Sequence, residues 1–236
     1  MRWWTGRCGS ATSCSHRSVE PQPEYVRMGN RWDTARLEAF SDGVLAIAIT
    51  LLVLDINVPE SDFGHMWYGI AHQWPAYLAY TTSFVTIGGI WTAHHAVFRR
   101  MRYANQRVMY LNLVLLMTVA FLPFPTRLMA EAIRNPSAER AAVIFYGLTL
   151  MTISIVSWGL WTAVRRERDL LYPEVSDQEI QLFTRRATPN IGFYVAATLL
   201  ALVAPTLTAV IYFAIGAATV LRARGDSGQR RAGQAA

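Results

Sequence analysis

The stretch from Arg36 to Asp55, RLEAFSDGVLAIAITLLVLD, sets a carboxylate at the entrance of an apolar run. Phe40-Ser41-Asp42 opens it, and Gly43 to Leu54 carries no charge. An aspartate inside hydrocarbon costs roughly 2.5–3.5 kcal/mol on insertion scales, so Asp42 needs a partner or a water-filled cavity. The chemistry open to it is the handling of ions or protons within a bilayer, or a polar tie between helices. A second group, Trp91-Thr92-Ala93-His94-His95, comes just before Arg99-Arg100, and Asn112 comes soon after Arg107. If helices alternate in direction, all three groups lie at one depth. Asp42 is therefore expected to accept hydrogen bonds from His94 or His95, with Arg36 and Asn112 as further donors.

Positioning these side chains requires a membrane. Of the 236 residues, 53% are hydrophobic and 16% charged, and the charges are clustered. Between the clusters lie apolar tracts at 36–57, 72–98, 107–130, 139–164 and 185–222. The last is too long for one crossing of a core about 30 Å thick, and Ala204-Pro205-Thr206 divides it. The expected fold is all-α, with six transmembrane helices in residues 33–222.

The net charge of +6 reports topology. All 22 cationic residues are arginines, and 19 fall on alternate connections; the other side keeps only Arg127, Arg134 and Arg140. By the positive-inside rule both termini are expected in the cytoplasm, with the protein in the cell inner or plasma membrane. That distribution over alternate connections argues against a nucleic-acid patch.

Residues 1–32 read as a cytoplasmic tail, disordered by composition, and 223–236 as a second one. No secretory signal is expected in 1–27, and Met28 is a candidate start. Cys8 and Cys14 lack further ligands at a known spacing, so neither a metal nor a redox role follows. Ser176-Asp177-Gln178-Glu179 fits a capping box, placing a helix start near Asp177, and Thr188-Pro189 allows a kink. Trp67, Trp74, Trp158 and Trp161 fall where interfacial anchors occur, and Asp55, Glu60 and Asp62 lie in a loop without arginine.

At about 100° per residue the first helix divides into two faces. Phe40, Gly43, Val44, Ile47, Thr50, Leu51 and Leu54 share one edge; Asp42 lies on the far side with Glu38, Ala46 and Ile49. If the apolar edge lines an axis, Asp42 points back into its own subunit. The polar cluster reads first as a buried network. A pH-sensitive latch and a metal site are the other readings, the second disfavoured because adjacent histidines on a helix diverge by about 100°.

Arg36-x-x-x-Phe40-Ser41-Asp42 with its apolar continuation resembles the signature of the prokaryotic branch of the lysosomal potassium channel family (transmembrane protein 175). Trp91-x-x-His94-His95 is similar to its second-helix motif. The resemblance implies a homotetramer around four copies of the first helix, a constriction at Ile47, Leu51 and Leu54, and a threonine layer at Thr50. Arg36, Phe40, Ser41, Asp42, Trp91, His94, His95 and Asn112 would form the structural polar network. A ring of large aliphatic side chains can close a pore by dewetting, and without a carbonyl-lined filter a moderate preference for potassium is expected. No cofactor or metal is expected. The expected partners are the chain itself, membrane lipid and permeant potassium, with no nucleic acid.

A secondary transporter or proton pathway using Asp42 and a histidine is the alternative function, and a non-conducting assembly protein another. The sequence has no G-x-S-x-G, H-E-x-x-H or P-loop, which argues against an enzyme.

Overall fold

The structure, a computed structural model, describes residues 32–133, 135–187 and 189–233, with backbone alone at 136–137, 186–187, 189–190 and 221–233. Cys8, Cys14, Met28 and the expected N-terminal tail up to residue 31 lie outside the described residues, as does Thr188 of the expected kink.

The described chain is helical almost throughout. Helix α1 spans Thr34–Leu51 and passes into a 3-10 turn, Leu52–Asp55. After a second 3-10 turn, Glu60–His65, come α2 (Met66–His72) and α3 (Trp74–Phe98), the latter with proline in its first turn, where no backbone donor is needed. Next are α4 (Gln106–Ala120), α5 (Pro123–Ala132) and α6 (Pro136–Arg166). Helices α7 (Asp177–Ala187), α8 (Pro189–Leu200) and α9 (Pro205–Gly233) complete the order.

Local chemistry sets these boundaries. Asp33 caps α1, its carboxylate accepting from the backbone N–H of Ala35 at 3.0 Å. Asn105 caps α4 through the N–H of Val108 at 2.9 Å. The expected cap at Ser176 is present, with the N–H of Glu179 donating to its hydroxyl at 3.2 Å. The tract 107–130 is interrupted: Pro123 has no N–H to give, so α4 and α5 meet at Phe121-Leu122, both still in helical backbone geometry.

Thr34–Asp55, Gln106–Ala132 and Ala138–Arg166 are long and apolar enough to cross a membrane; Ile191–Leu200 and Pro205–Val220 are shorter apolar helices. Helix α3, with 25 residues, also has the length of a crossing. Helix α9 continues to Gly233, so the segment expected as a disordered tail has helical backbone, propagated from an established helix.

Helices α3 and α9 pack closely at glycines. A Cβ at Gly216 would come 2.9 Å from the Thr86 hydroxyl, and one at Gly89 would come 3.2 Å from Thr219. A side chain at Gly147 would collide with the hydroxyls of Tyr212 and Thr198, which instead bond each other at 3.0 Å. Ser83 ties α3 to α5 and α6, at 2.7 Å from the Thr126 hydroxyl and 3.0 Å from that of Tyr146. At these contacts buried hydroxyls satisfy one another between helices.

Of the expected anchors, Trp67, Trp74 and Trp158 are exposed and Trp161 is buried. Its indole N–H donates to Thr184 at 2.9 Å and its ring packs edge-on against Phe183, because α7 folds back over this end of α6.

At the same end, Trp32–Asp33 (β1) pairs antiparallel with Tyr103–Ala104 (β2) in the α3–α4 connection. Met101 forms a bridge with Leu171, framed by hydrogen bonds from Arg102 N–H to Leu170 O at 2.7 Å and from Tyr172 N–H to Arg100 O at 3.1 Å.

Candidate functional site

Helix α1 buries one edge and leaves the opposite one bare. Ser41, Leu45, Ala48 and Leu52, spaced by three and four, are all within 1% of full burial. Opposite them Phe40, Gly43, Ile47, Thr50, Leu51 and Leu54 are exposed, Ile47 at 60% and Leu54 at 72%. Two expected phases shift. Val44 is half-buried because it packs on the core, and Ala46, expected beside Asp42, is exposed. The bare edge is therefore turned slightly toward Ala46.

On that edge the Thr50 hydroxyl donates to the Ile47 carbonyl of its own helix at 2.9 Å. With its proton committed, the oxygen keeps lone pairs free to face a cation. Ile47, Leu51 and Leu54 flank it with aliphatic surface alone.

The polar groups form two separate sets behind this edge. In the first, Trp91 Nε1 donates to Asp42 Oδ1 at 2.8 Å, and His95 Nδ1 lies 2.6 Å from Glu38 Oε1, with neither of those two atoms hydrogen-bonded elsewhere. The Trp91 and His95 rings stack with centroids 5.8 Å apart. Asp42 follows Glu38 by one turn on α1, and His95 follows Trp91 by one turn on α3. The two rungs thus define an antiparallel pair of helices.

In the second set, His94 Nε2 lies 2.8 Å from Asn112 Oδ1, Asn112 Nδ2 donates to Ser41 Oγ at 2.9 Å, and Ser41 donates to Leu37 O at 2.8 Å. The terminal carbonyl can only accept, and this fixes every proton upstream. Ser41 must donate to it and accept from the amide N–H of Asn112, whose oxygen then accepts from His94 Nε2–H. His94, Asn112 and Ser41 are all buried, and Phe98 stacks on the imidazole at 4.3 Å.

The expected bond between Asp42 and a histidine is corrected. Neither His94 nor His95 is its partner; Trp91 is. Neighbouring side chains on a helix diverge by about 100°, so His94 turns to α4 and His95 to α1 one turn before Asp42. Asn112 meets Ser41 instead of Asp42, and Arg36 and Phe40 are exposed, outside both sets. Glu38, absent from the expected network, belongs to it. Its signal was present in the sequence, four residues before Asp42 on the same face. Among the described residues no group of three histidines, cysteines or acids is arranged to hold a metal ion.

Comparisons with known proteins agree with one another. The family model described as "Endosomal/lysosomal potassium channel TMEM175" matches residues 36–123, the segment that holds every residue of both polar sets. A potassium channel of Streptomyces collinus is 43% identical over 144 residues, covering 61% of this chain and 70% of that one. An endosomal/lysosomal proton channel of Gallus gallus is 37% identical over 148 residues, 58% of this chain but only 30% of that protein. The crystal structure of a lysosomal potassium-selective channel homolog from Chamaesiphon minutus superposes with a TM-score of 0.71 at 36% identity, covering 80% of this chain and 97% of that one. The matches are to channels and not to enzymes, and they extend well beyond the signature of the first helix. This chain belongs to the endosomal/lysosomal potassium channel TMEM175 family.

Proposed function

We propose that the protein is a cation channel of the cell inner or plasma membrane that favours potassium moderately over sodium. Residues 33–222 form its channel domain, with six membrane spans at α1, α3, α4–α5, α6, α8 and α9. Both termini, including 1–32 and 223–236, lie in the cytoplasm, and four chains surround a central axis lined by α1. The pore narrows at Ile47, Leu51 and Leu54, and Thr50 supplies a ring of hydroxyl oxygens between them. The two polar sets act behind the pore as structural ties. Potassium is the permeant ion and lipid surrounds the assembly; no cofactor takes part.

The observation that carries this reading is the bare aliphatic edge of α1, which includes one hydroxyl whose proton is already committed. One helix cannot enclose a pore, and cyclic symmetry supplies the remaining wall from identical copies. Half-exposed polar groups at membrane depth, His95 and Trp91 among them, give a further reason for a neighbouring copy to cover this side. Purified protein in liposomes under a potassium gradient, with sodium as comparison ion, tests the reading. Potassium flux exceeding sodium flux supports it; absence of flux from tetrameric protein overturns it.

A second reading, a proton pathway, is favoured by the similarity to the Gallus gallus proton channel, of which this chain spans under a third. It predicts proton flux that persists when potassium and sodium are replaced by an impermeant cation.

A further inference from the structure

The ties that hold α1 are unevenly distributed along it. Its inner half is fixed at every turn. Asp33 is at once the last residue of β1 and the cap of α1, and β1 is paired to the α3–α4 connection. Glu38 meets His95, Ser41 meets Asn112, and Asp42 meets Trp91. The connection that receives β1 is itself anchored. Asn105 Nδ2 donates to Glu167 Oε2 at 2.7 Å, and Arg100 Nε donates to Glu179 Oε1 at 3.1 Å while its guanidinium covers the Phe183 ring at 4.5 Å.

Beyond Asp42 no hydrogen bond from a side chain of α1 reaches another element among the described residues. Thr50 bonds only its own helix. The outer half is held by Leu45, Ala48 and Leu52, whose apolar contacts have no required direction, and it ends in a 3-10 turn. The junction between the halves carries two features that weaken a helix. Ser41 bonds back to Leu37 O, an arrangement that bends helices, and Gly43 follows with nothing within 4 Å of its would-be side chain.

We propose that α1 is a two-part element whose inner half stays clamped while the outer half, carrying Ile47 to Leu54, swings about Gly43 to open the pore. This rests on the channel reading above and adds where the helix moves. It follows that the β1–β2 pairing is static during gating, and that stiffening position 43 opposes opening.

Two variants separate these statements, each recorded as single channels in bilayers. With Cys8→Ser and Cys14→Ser as background, Trp32→Cys and Ala104→Cys place thiols on directly opposed strand residues. Oxidation is expected to form the bridge, read by mass spectrometry, and to leave open probability within about twofold of the reduced protein, less than the weight of one backbone hydrogen bond. Gly43→Ala adds a methyl that meets nothing within 4 Å in its own chain and raises helix propensity, so open probability is expected to fall roughly fivefold, with conductance of the open state unchanged. The proposal is overturned if the bridge abolishes opening, or if Gly43→Ala leaves open probability as it was. A wild-type protein that carries no current would instead sink the channel reading itself, and the bridge yield would still report the inner clamp.

Discussion

The indole N–H of Trp91 donates to the carboxylate of Asp42 at 2.8 Å, joining α3 to the mouth of the apolar run on α1. The acid of the signature is thus held from behind, away from the bare edge. Trp91→Phe keeps the ring and removes the donor, and it is expected to lower stability by about 1 kcal/mol, since Asp42 is only half-buried and water can replace part of the loss. Asp42→Ala should reduce the tetramer fraction while leaving the potassium to sodium ratio near that of the native protein. Thermal unfolding and oligomer size in mild detergent measure the first effects, and reversal potentials the last.

The chain from His94 through Asn112 and Ser41 to the Leu37 carbonyl has one direction only. Asn112→Leu strips a buried donor and a buried acceptor of their partners at once, with an expected cost of roughly 2–4 kcal/mol. Ser41→Ala removes the last two bonds of the chain but leaves Asn112 paired with His94, so a smaller loss is expected. Thermal midpoints that rank the two variants in the opposite order would contradict the central place of Asn112 in this chain.

At Thr50 the hydroxyl oxygen faces the bare edge, with its proton given to Ile47. Thr50→Ala removes the oxygen and should lower the preference for potassium; Thr50→Ser keeps it and should retain most of that preference. Bi-ionic reversal potentials give the comparison directly.

Opposite edges of α1 should respond differently to the same truncation. Ile47→Ala and Leu54→Ala shorten exposed side chains and are expected to raise basal leak with little change in stability. Leu45→Ala empties a buried site and should cost about 2–5 kcal/mol without raising leak in whatever protein assembles. Liposome flux and thermal unfolding on the three variants decide whether the bare edge lines the conduit.

Much of this could be read along the chain. The charge clusters marked the ends of apolar tracts because arginine is costly in hydrocarbon, Pro205 marked the break between α8 and α9, and Ser176 marked the start of α7. The phase of α1 followed from spacing alone, with errors only at its margins, Val44 and Ala46. The exposed set Ile47, Thr50, Leu51 and Leu54 was therefore foreseen. Trp161 was misjudged because its distance from the helix end resembles that of an anchor, and only the return of α7 over it makes it core.

The identities of the polar partners were not legible in the same way. Depth placed Asp42, Trp91, His94, His95 and Asn112 in one layer, which is a property of residue number. Which of them touch depends on the rotation of α3 against α1 and α4, and that is set by packing over the whole interior, down to Gly216 beside Thr86 and Gly147 beside Tyr212. Sequence by itself determined that the chain is mostly helical, where its apolar tracts lie and which edge of α1 is bare, since periodicity and the cost of burying charge act locally. The pairing of Asp42 with Trp91, of Glu38 with His95 and of Ser41 with Asn112 was decided only in the tertiary structure. A hydrogen bond requires its atoms to approach within about 3 Å, and no pattern along one strand of sequence fixes the distance between two helices.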